Sequence, residues 1–365
     1  MAATMSGAKP CPANFSAAAD RILNSFQEGF LWPVLLADFL VAVAGNGLAL
    51  YRFITREQRP WYPAVVFSAQ LAVSDLLYAL TLPPLVAYFY PPKNWRYGEA
   101  LCRLEHFLFI CNLQGSVIFI TCVSLNRYVG VVHPFFTRSH LQPKHAWAVS
   151  AAGWALAALL AAPMLGFSHL KQEVGTGSIK CVGTAGDSHL EAYRTYSLAL
   201  AGLGCGLPLL LTLAAYCALV RAVLRSPGMR AAEKLHVVLL VASGAALYAS
   251  SYVPYHVTRV LNVHARQRWR ALCPGFANET QAQEALELGL YVSHQVMRGL
   301  MPLAICLHPL LYMAVAPSLG CCRQCCPHWR GCRDPGDTES FGQAMPLDVK
   351  ATPKTSEPRS PELTS

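Results

Sequence analysis

Apolar side chains come in long blocks along this chain, and the polar positions fall between the blocks. From 31 to 54 almost every residue is uncharged, and comparable stretches recur around 64–90, 103–130, 146–167, 195–222, 236–259 and 286–314. Hydrocarbon about 30 Å thick needs roughly 20 residues of helix to cross it, so each stretch is long enough with some tilt. Glycine and β-branched residues inside the stretches do not argue against helix, because in lipid every backbone group must be paired internally. The pattern predicts an all-α membrane protein, a seven-transmembrane helix bundle whose termini lie on opposite sides of the bilayer.

The flanks divide the rest. Residues 1–30 form an amino-terminal segment, 31–314 the bundle, 315–332 a cysteine-rich juxtamembrane piece and 333–365 a tail rich in Pro, Ser, Thr and Glu. That tail carries few large apolar residues and is expected to be a flexible cytosolic segment. The first 30 residues show no basic segment followed by an apolar core and a small-residue cleavage site, so the first span is expected to target the chain itself. Lys and Arg counts in the loops do not decide the orientation. The two Asn-x-Ser/Thr acceptors, Asn14 and Asn278, fall on one side in a seven-span topology, and that side is expected to be extracellular and glycosylated.

Composition then removes one function class. The chain is 54% hydrophobic and 13% charged with a formal net charge of +9. In a soluble protein that charge would suggest nucleic acid, but here it sits on loops between membrane segments, so no nucleic-acid polymer is expected as partner. The 14 cysteines sort by depth. Cys11, Cys102, Cys181 and Cys273 are expected outside the membrane in an oxidising compartment, where an even set reads as disulfides with three ways to pair. Cys111, Cys122, Cys205, Cys217 and Cys306 lie within spans and read as small apolar core residues. Cys321, Cys322, Cys325 and Cys326 follow the last span immediately, and acylation fits better than a metal, because no second ligand pair follows.

Polar residues inside the spans need a reason. An ionisable side chain near the bilayer centre costs roughly 2.5–3.5 kcal/mol, so Asp75 in LAVSDLL must face the bundle interior or a wet cavity. It reads as a hydrogen-bond hub joining the second helix to Asn46 and His308, as a cation or proton site, or as both.

The motifs now resemble a family. Asn46 in GNGLAL, Asp75, Asn126-Arg127-Tyr128 in SLNRYVGVVHP, Trp154, Pro208, Tyr216, Pro254 and His308-Pro309-Leu310-Leu311-Tyr312 resemble the successive helix signatures of rhodopsin-like (class A) G-protein-coupled receptors. SYVPYHVTR and QVMRGL look like the metabotropic purinergic nucleotide receptors within that class. The resemblance implies a disulfide between Cys102 and Cys181, leaving Cys11 for Cys273. It also implies ATP as ligand, no catalytic activity, no cofactor and no metal, and a plasma-membrane location. Heterotrimeric G proteins are the implied partners, with arrestin as another, and signalling runs through phospholipase C with calcium and through adenylyl cyclase with cyclic AMP. Helix six would swing about Pro254 to open a cavity lined by Arg127, Tyr216 and Tyr312, and basic loop residues could meet the G protein or anionic membrane lipid.

The same resemblance places His256, Arg259, Gln295 and Arg298 in the ligand pocket, with Tyr255 beside them. Residue spacing agrees: Tyr252, His256 and Arg259 share one helical face, and Tyr291, Gln295 and Arg298 repeat the spacing on the next helix. Guanidinium forks suit phosphate oxygens. The alternative for the arginines is snorkelling to the headgroups, easy for Arg259 and harder for Arg298, which lies about 16 Å along the axis from Pro309.

Four positions depart from the family. His106 stands where an arginine is usual, and a neutral imidazole offers one donor where a guanidinium offers five, so phosphate contact there is expected to be weaker and pH-dependent. Asn126 replaces the acid before Arg127, and Lys234 stands where the sixth helix often carries the acidic partner. Tyr252 stands where many relatives have tryptophan and is expected to serve as a rotamer switch. Other classes fit less well. A receptor for a different anionic ligand, such as an acidic lipid, stays open; a transporter lacks matching broken helices in two halves, and a hydrolase lacks a nucleophile elbow or a zinc-binding helix.

Overall fold

The computed structural model describes residues 25–57, 59–133, 135–137, 141–172, 177–272 and 288–315. Cys11, Asn14, Cys273, Asn278, Cys321, Cys322, Cys325, Cys326 and the Tyr312 side chain lie outside what is described. Six helices are long and apolar enough to cross a membrane: α1 (Ser25–Arg56), α2 (Pro63–Phe89), α3 (Gly98–Val132), α4 (Pro143–Phe167), α5 (Leu190–Arg225) and α6 (Ala231–Leu272). Proline opens α2 and α4, where its missing N–H would have had no partner in any case.

The seventh span is not one continuous helix. It is formed by two pieces, Leu288–Leu300 and Leu303–Val315, here called α7 together, with Met301 and Pro302 between them. Pro302 has no N–H to continue the ladder, and its ring crowds the preceding turn. A second interruption lies in α5, where Gly202–Gly206 widens into a π turn. Such a turn displaces backbone carbonyls, and the Tyr248 hydroxyl of α6 donates to the Cys205 carbonyl at 2.9 Å. The irregularity thereby becomes a contact between α5 and α6.

Burial is inverted relative to a protein folded in water. Leu40, Leu159 and Leu210 on the outside are 59%, 71% and 66% exposed, whereas Asn46, Asp75, Gln114 and His308 are fully buried. Helices dissolved in hydrocarbon gain nothing by hiding leucine and much by pairing polar groups with one another. α3 is the central post, packed on α2, α4 and α5. Close approach between α1 and α7 requires glycine at 45, since a Cβ there would lie 3.0 Å from Pro309 Cγ.

A polar chain runs through the middle. Asn112 Nδ2 donates to Asp75 Oδ1 at 3.1 Å, Asp75 Oδ2 lies 2.8 Å from His308 Nδ1, and His308 Nε2 lies 2.9 Å from the Tyr252 hydroxyl. Asn46 reaches the seventh helix through backbone, donating to the carbonyls of Ala42 and Ile305 at 3.1 and 3.0 Å. The chain links α2, α3, α6 and α7 through buried polar groups.

Candidate ligand-binding site

The end of the bundle that carries Cys102 is covered by a hairpin absent from the sequence expectations. Strands β1 (His169–Gln172) and β2 (Ile179–Val182) pair antiparallel with Leu170 opposite Cys181. A disulfide joins Cys181 to Cys102 near the start of α3. Further ties hold the cover: Trp95 N donates to the Ile179 carbonyl at 2.8 Å, and Arg266 of α6 donates to the Ala185 carbonyl at 3.1 Å. His106 lies with Cys102 and Cys181 within 4.8 Å, but both sulfurs are spent in the disulfide, so no thiolate is available for a metal.

Arg259 lies beneath this cover. It is 1% exposed, so its head does not reach toward a membrane surface. Nε donates to Ser197 Oγ and Nη1 to the Tyr255 hydroxyl, both at 3.2 Å, and the guanidinium carbon sits 5.1 and 5.2 Å from the ring centres of Tyr193 and Tyr196. Among the described residues no carboxylate pairs with it. Hydroxyls and ring faces orient a cation and stabilise it partly, yet a buried charge left without a counterion is costly. His256, one turn away, is 2% exposed with neither ring nitrogen hydrogen-bonded among the described residues. His294 lies nearby on α7, its ring 5.7 Å from that of Tyr255.

Arg298 is held differently. Its Nη2 lies 2.5 Å from His106 Nε2. A guanidinium can only donate, so Nε2 is the bare nitrogen and His106 carries its proton on Nδ1, which is 2.8 Å from the Cys102 carbonyl and 2.8 Å from Glu105 Oε2. His106 thus has both nitrogens occupied by the protein. The side chain of Gln295, half-buried on the same helix, makes no hydrogen bond among the described residues. The cover also presses on His106: a methyl at Gly183 would collide with the imidazole. Overpacking of this kind costs about 1–3 kcal/mol, so Gly183→Ala is expected to lower the melting temperature of purified protein by several degrees. Gly186→Ala, where the surroundings are open, is expected to leave it alone; equal melting of the two variants would refute the contact.

Comparison with known proteins decides the class. Residues 45–312 match the profile of the 7 transmembrane receptor (rhodopsin family). The chain belongs to the rhodopsin family of seven-transmembrane receptors. It is 71% identical to purinoceptor 11 of Homo sapiens over 373 aligned positions that cover all of both chains. It is 34% identical to purinoceptor 1 of Gallus gallus, over 79% of this chain and 77% of that protein, and 33% identical to purinoceptor 1 of Homo sapiens, over 79% of this chain and 74% of that protein. The receptor is therefore a multi-pass protein of the plasma membrane and not an enzyme.

At the opposite end of the receptor, the residues expected to switch are arranged around α3. Ser124 Oγ donates to the Tyr216 hydroxyl at 2.8 Å, and a Cβ at Gly244 of α6 would lie 3.0 Å from that hydroxyl. Arg127 lies within electrostatic reach of Tyr216. Tyr128 packs edge-on against His133, and Lys234 donates to the Leu224 carbonyl at 3.0 Å. Tyr252 turns to His308 and joins the central polar chain, so the face it shares with His256 and Arg259 splits between two layers. Sequence spacing missed Tyr193, Tyr196 and Ser197, although their separations of three and four residues place them on one face of α5 in the same way. It missed Glu105 as well, for which an acid inside an apolar span was the available signal, and Asp38 in α1, which is 3% exposed and was averaged away in a long apolar run.

Proposed function

We propose that the receptor binds an extracellular nucleotide, ATP foremost, beneath the β1–β2 cover, and passes the signal to heterotrimeric G proteins at the Arg127 end. The observation that carries this reading is Arg259, a buried guanidinium with hydroxyl and aromatic neighbours and no carboxylate among the described residues. A polyanion entering the bundle would supply the missing charge, and Arg298 stands on the neighbouring helix to take a second phosphate oxygen. His256, whose ring nitrogens make no hydrogen bond among the described residues, and the amide of Gln295 suit the polar atoms of a base or sugar. The names of the relatives, purinoceptors, support a purine as that ligand. Membership of the rhodopsin family supports the G protein.

In this reading the amino terminus is extracellular, and ligand acts by differential binding: it stabilises the arrangement in which α6 moves about Pro254. Calcium release through phospholipase C and cyclic AMP through adenylyl cyclase are the proposed outputs, and the cysteines after α7 are proposed acylation sites. The test is calcium and cyclic AMP in cells that lack nucleotide receptors, expressing the wild type at measured surface density, with nucleotide breakdown suppressed. Both messengers are expected to rise with ATP. Silence toward every adenine and uridine nucleotide, with a response to an acidic lipid, would replace the ligand class and keep the receptor.

A further inference from the structure

We infer that Glu105 is an internal counter-anion that competes with the ligand for Arg298 and thereby sets how much negative charge the site accepts. The inference rests on the nucleotide reading. Glu105 is 5% exposed inside an apolar helix, a position where a carboxylate is costly unless a cation compensates it. Its Oε2 lies 2.8 Å from Nδ1 of the neutral His106, and the cation within its electrostatic reach is Arg298, on the far side of that imidazole.

Geometry leaves that carboxylate unsaturated. The single proton of His106 Nδ1 is shared toward the Cys102 carbonyl, and Glu105 Oε2 is close to the ring without a hydrogen bond of its own. Its charge is therefore not discharged locally and acts on Arg298 through the imidazole between them. The two arginines of the site differ in consequence. Arg259 pairs with no carboxylate among the described residues, whereas Arg298 is already partly neutralised, so a phosphate oxygen reaching Arg298 must share it with a like charge. Like-charge juxtaposition in a dehydrated site is the standard way to discriminate against a partner. The charge at Glu105 should weigh most on ligands whose phosphate chain is longest.

The experiment uses full-length receptor at matched surface density and ATP, ADP and AMP as probes. Glu105→Gln is expected to lower the half-maximal ATP concentration about ten-fold, with a smaller gain for ADP and the smallest for AMP. The gain is expected to vanish in an Arg298→Ala background. Glu105→Asp keeps the charge and is expected to stay within about two-fold of the wild type. An unchanged or raised ATP concentration for Glu105→Gln, a gain equal for all three nucleotides, or a gain that survives without Arg298 would overturn the inference. If neither Glu105→Gln nor Glu105→Ala reached the surface while Glu105→Asp did, the residue would be structural and the inference wrong. A wild type silent to all three probes, or indifferent to Arg259→Ala, would instead bring down the nucleotide reading, and the inference with it.

Discussion

Arg259→Ala is expected to raise the ATP concentration for a half-maximal calcium response by at least about 100-fold, at unchanged surface display. A hydrogen bond to a charged group contributes about 1.5–3 kcal/mol, and a fork makes two, so the loss should reach about 3 kcal/mol, where 1.4 kcal/mol is ten-fold. Part of the guanidinium is already held by Ser197 and Tyr255 and stacked against Tyr193 and Tyr196. This pre-orientation lowers the entropy lost when phosphate arrives and makes lysine a poor substitute, since an ammonium cannot keep the same two hydroxyls and both ring faces at once. Arg259→Lys is therefore expected to recover only part of the loss. The readout that separates ligand contact from mere packing is phosphate number: the penalty for Arg259→Ala should shrink from ATP to AMP. A penalty independent of phosphate number would mean that Arg259 only braces α5 against α6.

What the sequence revealed follows from how local each cause is. Seven apolar stretches were legible because the bilayer imposes a length that shows in one dimension. The partnership of Asp75 with His308 was legible because an acid in hydrocarbon must have a partner, and His308 is a polar residue within the seventh span. The wide turn at Gly202–Gly206 was not legible: it depends on Tyr248, which arrives from another helix to take the freed carbonyl. The break at Met301 and Pro302 was visible as a proline and was passed over, because proline is common in membrane helices and only sometimes interrupts them. Two-helix spacing found His256 and Arg259 on one face of α6 but could not separate Tyr252 from them. Its hydroxyl is drawn to His308 by a contact 56 positions away. The aromatic cage on α5 and the acid at 105 become significant only once Arg259 and Arg298 are placed beside them.

Asp75→Leu is expected to be severely destabilising on its own and largely repaired by His308→Phe, a result opposite to additivity. The single change leaves His308 Nδ1 without the carboxylate it faces, at a centre where residues 75 and 308 are both fully buried, and it takes from Asn112 one contact while leaving the other, to Ser74 Oγ at 3.1 Å. Removing one partner of a buried pair costs about 3–5 kcal/mol, because the group left behind has neither water nor counterpart. Replacing both partners by apolar groups of similar size removes the stranded imidazole and is often close to neutral, the remaining cost here being the Tyr252 hydroxyl that loses its His308 contact. The melting temperature of detergent-solubilised receptor should therefore fall sharply in Asp75→Leu and return most of the way in the double variant. Losses that simply add in the double variant would mean that the two residues do not work as a pair. Signalling should not return with stability. Tyr252 has its hydroxyl on His308 Nε2 and its backbone two residues before Pro254, so it ties the proline-containing turn of α6 to the polar chain in α2 and α7. A phenylalanine at 308 fills the space and offers that hydroxyl nothing, which leaves a stable receptor whose ligand site has lost its connection to the Arg127 end. Normal ATP binding with a messenger response reduced about ten-fold or more is the expected signature, and a full response from the double variant would show that the signal takes another route.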